Sequence, residues 1–463
     1  MYFEQFFLSC LAHASYMIGS EGIAAVVDPQ RDVGIYLEEA QRRELRIAYV
    51  IETHLHADFV SGHRELAALT GATIYVGAQA HASFPHVPVH DGDELRFGRC
   101  SLRFLETPGH TLESICVVVR DAERGNEPIA VLTGDTLFIG DVGRPDLSGD
   151  RTPAELAALL YDSLQTKLMT LPDSVGVYPA HGAGSLCGRQ MRPERSSTIG
   201  VERATNYALR ARSREEFVRL VTADLPDRPG YFSRDVEINR EGAPSLADLP
   251  PLPALRPGEV MARQADGAVL LDTRAEDDFC AAHVPGSLHI GLSGQYASWA
   301  GSLIGVDRNL VLVAEDAERV AESRLRLARV GIDRVVGYLA DGVAGWTREG
   351  LPLEQIPQIT VGELAALAAG EDVDVIDVRR TAEWEQGYVP GARHKPLSRL
   401  SRMLDDLEPT RPIAVYCKGG YRSAIGASLL ERAGFEHVMN VPGGFDAWQA
   451  CDLPTCVPTA AAT

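Results

Sequence analysis

Short apolar runs punctuate the first half of the chain, and each opens into a polar loop. Ala24-Ala25-Val26-Val27 leads to Asp28-Pro29, and Ile47-Ala48-Tyr49-Val50-Ile51 leads to Glu52-Thr53-His54. Ala130-Val131-Leu132-Thr133-Gly134 ends at Asp135, and Gly176-Val177-Tyr178-Pro179 at Ala180-His181. Runs of this length, bounded by turn residues, predict buried strands. Ligands delivered from strand ends are held rigidly. Leu246 to Pro257 breaks the pattern: with its prolines it has few donors and fixed φ, and reads as an extended linker.

Beyond it the chain repeats itself. Leu270-Leu271-Asp272-Thr273-Arg274 matches Val375-Ile376-Asp377-Val378-Arg379, and His283-Val284-Pro285-Gly286 matches Tyr388-Val389-Pro390-Gly391. Asp341-Gly342-Val343-Ala344-Gly345-Trp346 matches Gly443-Gly444-Phe445-Asp446-Ala447-Trp448. Each copy alternates strand-like and helix-like runs over roughly 100 residues, the size of a small α/β domain. Two copies, each able to hold its own core, do not make a solenoid.

Composition narrows the class. A chain of 463 residues exceeds one ordinary core, and 45% hydrophobic with 23% charged residues is globular. A formal charge of −20 argues against nucleic acid or an anionic membrane as partner. No run of eighteen or more apolar residues predicts a membrane span, and Met1-Tyr2-Phe3-Glu4-Gln5 shows no secretory signal. Eight cysteines without a CxxC or regular spacing do not form a disulfide framework, which fits a reducing cytoplasm.

Thr53-His54-Leu55-His56-Ala57-Asp58-Phe59 carries the densest chemistry. Two imidazoles and a carboxylate at the end of a strand read as a metal-binding loop. A lone histidine is usually structural, but His110, Asp135 and His181 follow in order, each after an apolar run. His13, His63, His81, His86 and His90 lack such context and are expected to be surface or structural residues. A two-metal site wants a histidine after Asp58. Phe59 stands there, so one metal is expected. Cys187, six residues beyond His181 and close to Arg189, is a candidate for sulfur chemistry, with an ordinary buried cysteine as the alternative.

A second centre lies near the C-terminal end. Ile413-Ala414-Val415-Tyr416 opens into Cys417-Lys418-Gly419-Gly420-Tyr421-Arg422-Ser423 and then a helix-like run. In such a turn, backbone N–H groups converge on the cysteine sulfur. Lys418, Arg422 and the helix N-terminus add positive potential and stabilise an anionic sulfur. In the first copy Ala314 stands at the place of Cys417, followed by Glu315 and Asp316. With no thiol and two acids, that copy is expected to be inactive.

The ordered histidine and aspartate set resembles the metallo-β-lactamase fold, and within it the persulfide dioxygenase branch related to glyoxalase II. The resemblance implies an αββα sandwich with one Fe(II) per chain, held by His54, His110 and Asp135. His56, Asp58 and His181 would orient ligands and move protons. Arg144, in Gly140-Asp141-Val142-Gly143-Arg144-Pro145, would anchor the anionic part of a thiol cofactor. The cysteine loop and the repeated Asp-x-Arg and Val-Pro-Gly segments resemble the rhodanese (sulfurtransferase) family. There Cys417 matches the persulfide-carrying cysteine, and Asp377 with Arg379 a structural pair. Four residues separate Cys417 from Arg422, where related phosphatases place five. The shorter loop favours sulfane sulfur over phosphate.

The expected organisation is therefore a dioxygenase-like domain over 1–245, an inactive rhodanese-like domain over 258–355 and an active one over 356–458. The implied substrates are a low-molecular-weight thiol persulfide of glutathione or coenzyme A type, O2, and thiosulfate or sulfite. A homo-oligomer is expected. The competing readings are a dinuclear thioester hydrolase of the glyoxalase II type, and a sulfur carrier or sensor whose first domain only binds.

Overall fold

The computed structural model describes residues 1–458 apart from Asp150, Asp224 and Glu371. It divides into two compact units: Met1–Leu249, with which Ala328–Gly331 is grouped, and Pro250–Leu327 with Ile332–Thr463.

The first unit is two six-stranded sheets. Sheet one runs β1 (Tyr2–Leu8), β2 (His13–Ser20), β3 (Ile23–Val27), β4 (Arg46–Glu52), β5 (Thr73–Gly77), β6 (Val87–Val89). Sheet two runs in the order β12 (Ser197–Thr198), β11 (Gly176–Pro179), β10 (Pro128–Gly134), β9 (Ile115–Asp121), β8 (Cys100–Glu106), β7 (Glu94–Phe97). Alternation along the strands builds three apolar layers, because successive side chains face opposite ways. On β9, Val117 and Val119 meet Tyr16, Ile18 and Phe104 between the sheets, while Cys116 and Val118 face outward. That outer face is covered by the helix Pro153–Thr166, whose Leu160 and Leu164 are fully buried. Each such leucine contributes on the order of 2 kcal/mol. Thr152 and Glu155 close a capping box at its start, with Pro153 in the first turn. The other outer face packs Met17, Val26 and Val50 against Tyr36 and Leu66 of two further helices. This is the expected αββα sandwich.

Strand direction places the site. Both β8 and β10 are antiparallel to β9, so they point the same way, and β11 is parallel to β10. The loops after β8, β10 and β11, which carry His110, Asp135 and His181, therefore leave one edge of the sandwich.

The second unit holds a five-stranded sheet, β13 (Ala254–Leu255), β17 (Val335–Leu339), β16 (Leu310–Val313), β14 (Val269–Asp272), β15 (Leu288–His289), and a four-stranded one, β19 (Arg393–His394), β18 (Asp374–Asp377), β20 (Ile413–Tyr416), β21 (Val438–Asn440). All their strand pairs are parallel. The repeat is visible atom by atom. Arg274 forks onto Asp272 as Arg379 forks onto Asp377. Trp346 Nε1 donates to Pro352 O as Trp448 Nε1 donates to Pro454 O. The expected linker is a correction in part: Leu246–Asp248 forms a 3-10 turn, and Ala254–Leu255 pairs with Tyr338–Leu339 as an edge strand. Proline excludes a strand only where its missing N–H is needed, and an edge does not need it. Among the described residues no helix is long and apolar enough to cross a membrane.

Candidate metal centre and sulfur-transfer loop

His54, His110 and Asp135 come together in the first unit, each fully buried, with ligand atoms mutually within 4.8 Å. His110 Nε2 lies 3.4 Å and His54 Nε2 3.7 Å from Asp135 Oδ2. Ligand atoms about 2.1 Å from a shared ion stand about 3.0–3.5 Å apart, close to what is seen here. These three atoms have no hydrogen-bond partner among the described residues. Buried polar atoms left unpaired cost stability, so three orphans aimed at one point fit a cation.

The opposite atoms of the same side chains are all held. Thr53 Oγ1 donates to Asp28 Oδ2 at 2.9 Å, so it accepts from His54 Nδ1 at 3.0 Å. His110 Nδ1 donates to Arg144 O at 3.0 Å, since a carbonyl can only accept. His181 Nδ1 donates to Asp135 Oδ1 at 2.8 Å. For His54 and His110 this puts the proton on Nδ1 and turns the Nε2 lone pair to the centre. Burial, then the neighbouring imidazoles, hold His54 well below its ordinary value. Burial alone would raise the Asp135 carboxyl, but His181 and His110 keep it below the usual range. Burial opposes charge on His181 as well, and Asp135 and Asp58 outweigh it and push its value well up.

His56, Asp58 and His181 form a second buried group within 4.8 Å, with His181 Nε2 at 3.0 Å from Asp58 Oδ2. His56 Nε2 lies 3.2 Å from Asp28 Oδ1. Phe59 packs its ring against His56 and His13 at centroid distances of 4.3 and 4.0 Å.

In the second unit, Cys417 is buried at the end of β20, and Gly420 N–H donates to its Sγ at 3.1 Å. Arg422, in the first turn of the helix Tyr421–Arg432, pairs through both terminal nitrogens with Glu383 at 2.6 and 2.7 Å. Lys418 is exposed, while its carbonyl is held by Asp446 N–H at 3.0 Å. Gly444, at φ +53, passes so close under the loop that a Cβ would stand 2.3 Å from Cys417 O. Gly342 makes the same approach to Ala314 O in the first copy. There Asp316 serves the backbone: it accepts from Arg319 N–H and starts the helix Ala317–Ala328.

A model described as "Metallo-beta-lactamase superfamily" matches residues 8–181, and one described as "Rhodanese-like domain" matches 256–349 and again 360–451. The mitochondrial persulfide dioxygenase ETHE1 of Bos taurus is 31% identical over 214 residues, which is 45% of this chain and 75% of that protein. The chain belongs to the metallo-β-lactamase superfamily, with two rhodanese-like domains. The hydroxyacylglutathione hydrolase of Methylococcus capsulatus is 32% identical over 44% of this chain and 85% of its own length. A solved structure described as a metallo-beta-lactamase from Staphylococcus aureus subsp. aureus COL is 30% identical, with a TM-score of 0.66, and covers 73% of this chain and 98% of that one.

Two arginines of this domain have partners that the sequence does not show. Arg144 is buried: it forks onto Asp146 at 2.7 and 2.8 Å and donates to Leu186 O and Pro226 O. Through these contacts and its own carbonyl it braces the loop that holds His110. Arg189 does not attend Cys187, since its guanidinium binds Leu220 O, Ala223 O and Tyr207 Oη. Cys187 lies beside Asp135 and His181, where burial, then Asp58 and Asp135, push the thiol well up.

Three residues of the site were not picked out from the sequence. His13 is fully buried, 5.5 Å between centroids from His181 and 4.0 Å from Phe59. Its β-strand context hid it, because a histidine at a strand start has no motif. Asp28 ends the apolar run of β3, a signal present in the pattern. Asn239 donates to His56 O and Phe59 O, both at 2.8 Å, and pins the metal loop from a helix 180 residues on.

Proposed function

We propose that this protein oxidises the terminal sulfur of a low-molecular-weight thiol persulfide to sulfite with O2, and moves sulfane sulfur through Cys417. The observation that carries the first half is the orphaned triad, His54 Nε2, His110 Nε2 and Asp135 Oδ2; the adjoining group His56, Asp58 and His181 also has unpartnered atoms, but the Phe59 beside it cannot ligate, which favours one metal. Two imidazoles and one carboxylate with open positions are the donor set of non-haem Fe(II), which when bound supplies O2 activation. Asp28 through Thr53, Arg144 through its carbonyl, and His181 hold the three donors in place. Asp58 and His56 are placed to hold or pass a proton beside them. The buried Phe59, packed against His13, His56 and His181, keeps bulk water from the centre. The balance is one persulfide, one O2 and one water giving one thiol, one sulfite and two protons.

In the second half, the Cys417 thiolate takes the outer sulfur of thiosulfate and releases sulfite, then yields that sulfur to a thiol, or runs the reverse. Gly420 N–H donates to the anionic sulfur, and Arg422, held by Glu383, adds positive potential nearby. The fusion keeps the shared intermediates at high effective concentration. The setting is sulfide metabolism, in a reducing compartment such as the cytoplasm, where all eight thiols stay free.

The decisive experiment is O2 uptake and sulfur-product analysis by the iron-loaded chain, with glutathione and coenzyme A persulfides. Sulfite formed with O2 consumed supports the reading. Two equivalents of zinc, thioester hydrolysis and no O2 uptake would move the protein to the hydrolase relatives.

A further inference from the structure

We propose that the cysteine-less rhodanese copy is a positioning element of the Cys417 site: its segment 283–294 seats the helix whose first turn forms the sulfur cradle. The inference rests on Cys417 being the sulfur carrier.

The helix Tyr421–Arg432 begins inside the loop that surrounds Cys417. Tyr421 lies between Gly420, whose N–H is on Sγ, and Arg422, which forks onto Glu383. Its hydroxyl donates out of its own copy, to Gly291 O at 2.9 Å. Its ring fills the room left by a missing side chain, because a Cβ on Gly294 would stand 2.5 Å from it. Gly294 is not in the left-handed region, so the glycine answers to the ring and not to the backbone. The seat is itself rigid: Arg326 of the first copy donates to Leu292 O at 2.6 Å and Gly294 O at 3.0 Å.

The rest of the helix is tied along the same segment. Ser428 Oγ accepts from His289 N–H at 3.1 Å, and Glu431 Oε2 lies 2.9 Å from His283 Nε2. Residues 421, 428 and 432 share one helix face, and Arg432 donates to Gly286 O. At the place of Tyr421 the first copy has Glu318, which is exposed. At this position the pairing is one-sided: Tyr421 is seated by the other copy, and its counterpart Glu318 faces solvent.

The test uses the full chain and thiosulfate:cyanide sulfur transfer. Wild-type turnover that depends on Cys417 tests the carrier reading itself, and the following variants test the seat. Gly294→Val should push Tyr421 out and lower kcat by about 10²-fold, since a misplacement near 1 Å costs that much. Tyr421→Phe keeps the ring and loses one hydrogen bond, so kcat should fall about fivefold. In both, KM for thiosulfate should move by less than about twofold, because the anion's own contacts remain. The rate of Cys417 alkylation by iodoacetamide at fixed pH should change in both, because the cradle around Sγ is displaced. Gly294→Val with Tyr421→Ala should recover part of the rate, because the valine then has room. Wild-type kcat together with a wild-type alkylation rate in Tyr421→Phe overturns the proposal, as does an effect on KM alone. Should Gly294→Val fail to fold by near-UV circular dichroism, Tyr421→Phe decides.

Discussion

His181 Nδ1 donates to Asp135 Oδ1 across 2.8 Å, which leaves Asp135 with one oxygen, Oδ2, facing His54 and His110. A carboxylate held by one oxygen binds through the other in a fixed direction. Replacing His181 with Ala should therefore weaken metal binding by about 10- to 100-fold while leaving the three donors present. Competition against a coloured chelator measures this. Unchanged affinity would remove His181 from the site.

Gly134 sits at φ +50 just before Asp135, and a Cβ there would stand 2.6 Å from Thr53 Oγ1. Gly134→Ala should displace the hydroxyl that accepts from His54 Nδ1, in addition to about 1 kcal/mol of backbone strain. The expected result is lower metal occupancy after dialysis, with wild-type sulfur transfer at Cys417.

His54→Ala and Cys417→Ser should separate the two activities. The first should abolish metal-dependent O2 uptake and spare thiosulfate:thiol transfer, and the second should do the reverse. Neither substitution changing either activity would falsify both site assignments.

Removing the metal should lower stability. At a free metal concentration of 100 times Kd, a ligand that binds only the folded state stabilises by about 2.7 kcal/mol. Chelation should move the far-ultraviolet melting of the first unit downward. All four tryptophans, Trp299, Trp346, Trp384 and Trp448, lie beyond residue 249, so their emission reports the second unit and should melt at an unchanged temperature.

Arg379 forks onto Asp377, which also accepts from Tyr416 Oη at 2.6 Å, all in the core of the second copy. Arg379→Ala would leave a buried carboxylate without its counter-charge. The expected cost is about 3–5 kcal/mol, read as an earlier urea midpoint by tryptophan emission. A shift no larger than a surface substitution gives would show that Asp377 is solvated.

Much of this was legible in the chain because it is local. Apolar runs ending at His54, Asp135 and His181 told that strands deliver ligands. The recurrence of Asp-x-Arg and Val-Pro-Gly told that a domain is doubled, and Ala314 told which copy lacks its thiol. What the chain does not show is what long side chains reach. Arg189 is near Cys187 in sequence, and Arg144 falls in a segment that resembles the dioxygenase branch, but a guanidinium spans several ångströms and goes where buried carbonyls need donors. His13 and Asn239 carry no motif, and they reach the site only because β2 and a late helix fold onto its edge.

The sequence by itself determined the strand ends, the identity of the donors, the doubling and the one missing cysteine, because each depends on residue type and near neighbours. Only the tertiary structure decided which atom of each donor is free, which arginines are already engaged, and that Tyr421 is seated in the other copy at Gly294. Those are matters of direction and distance between segments tens to hundreds of residues apart, and they are fixed by packing, which no local pattern encodes.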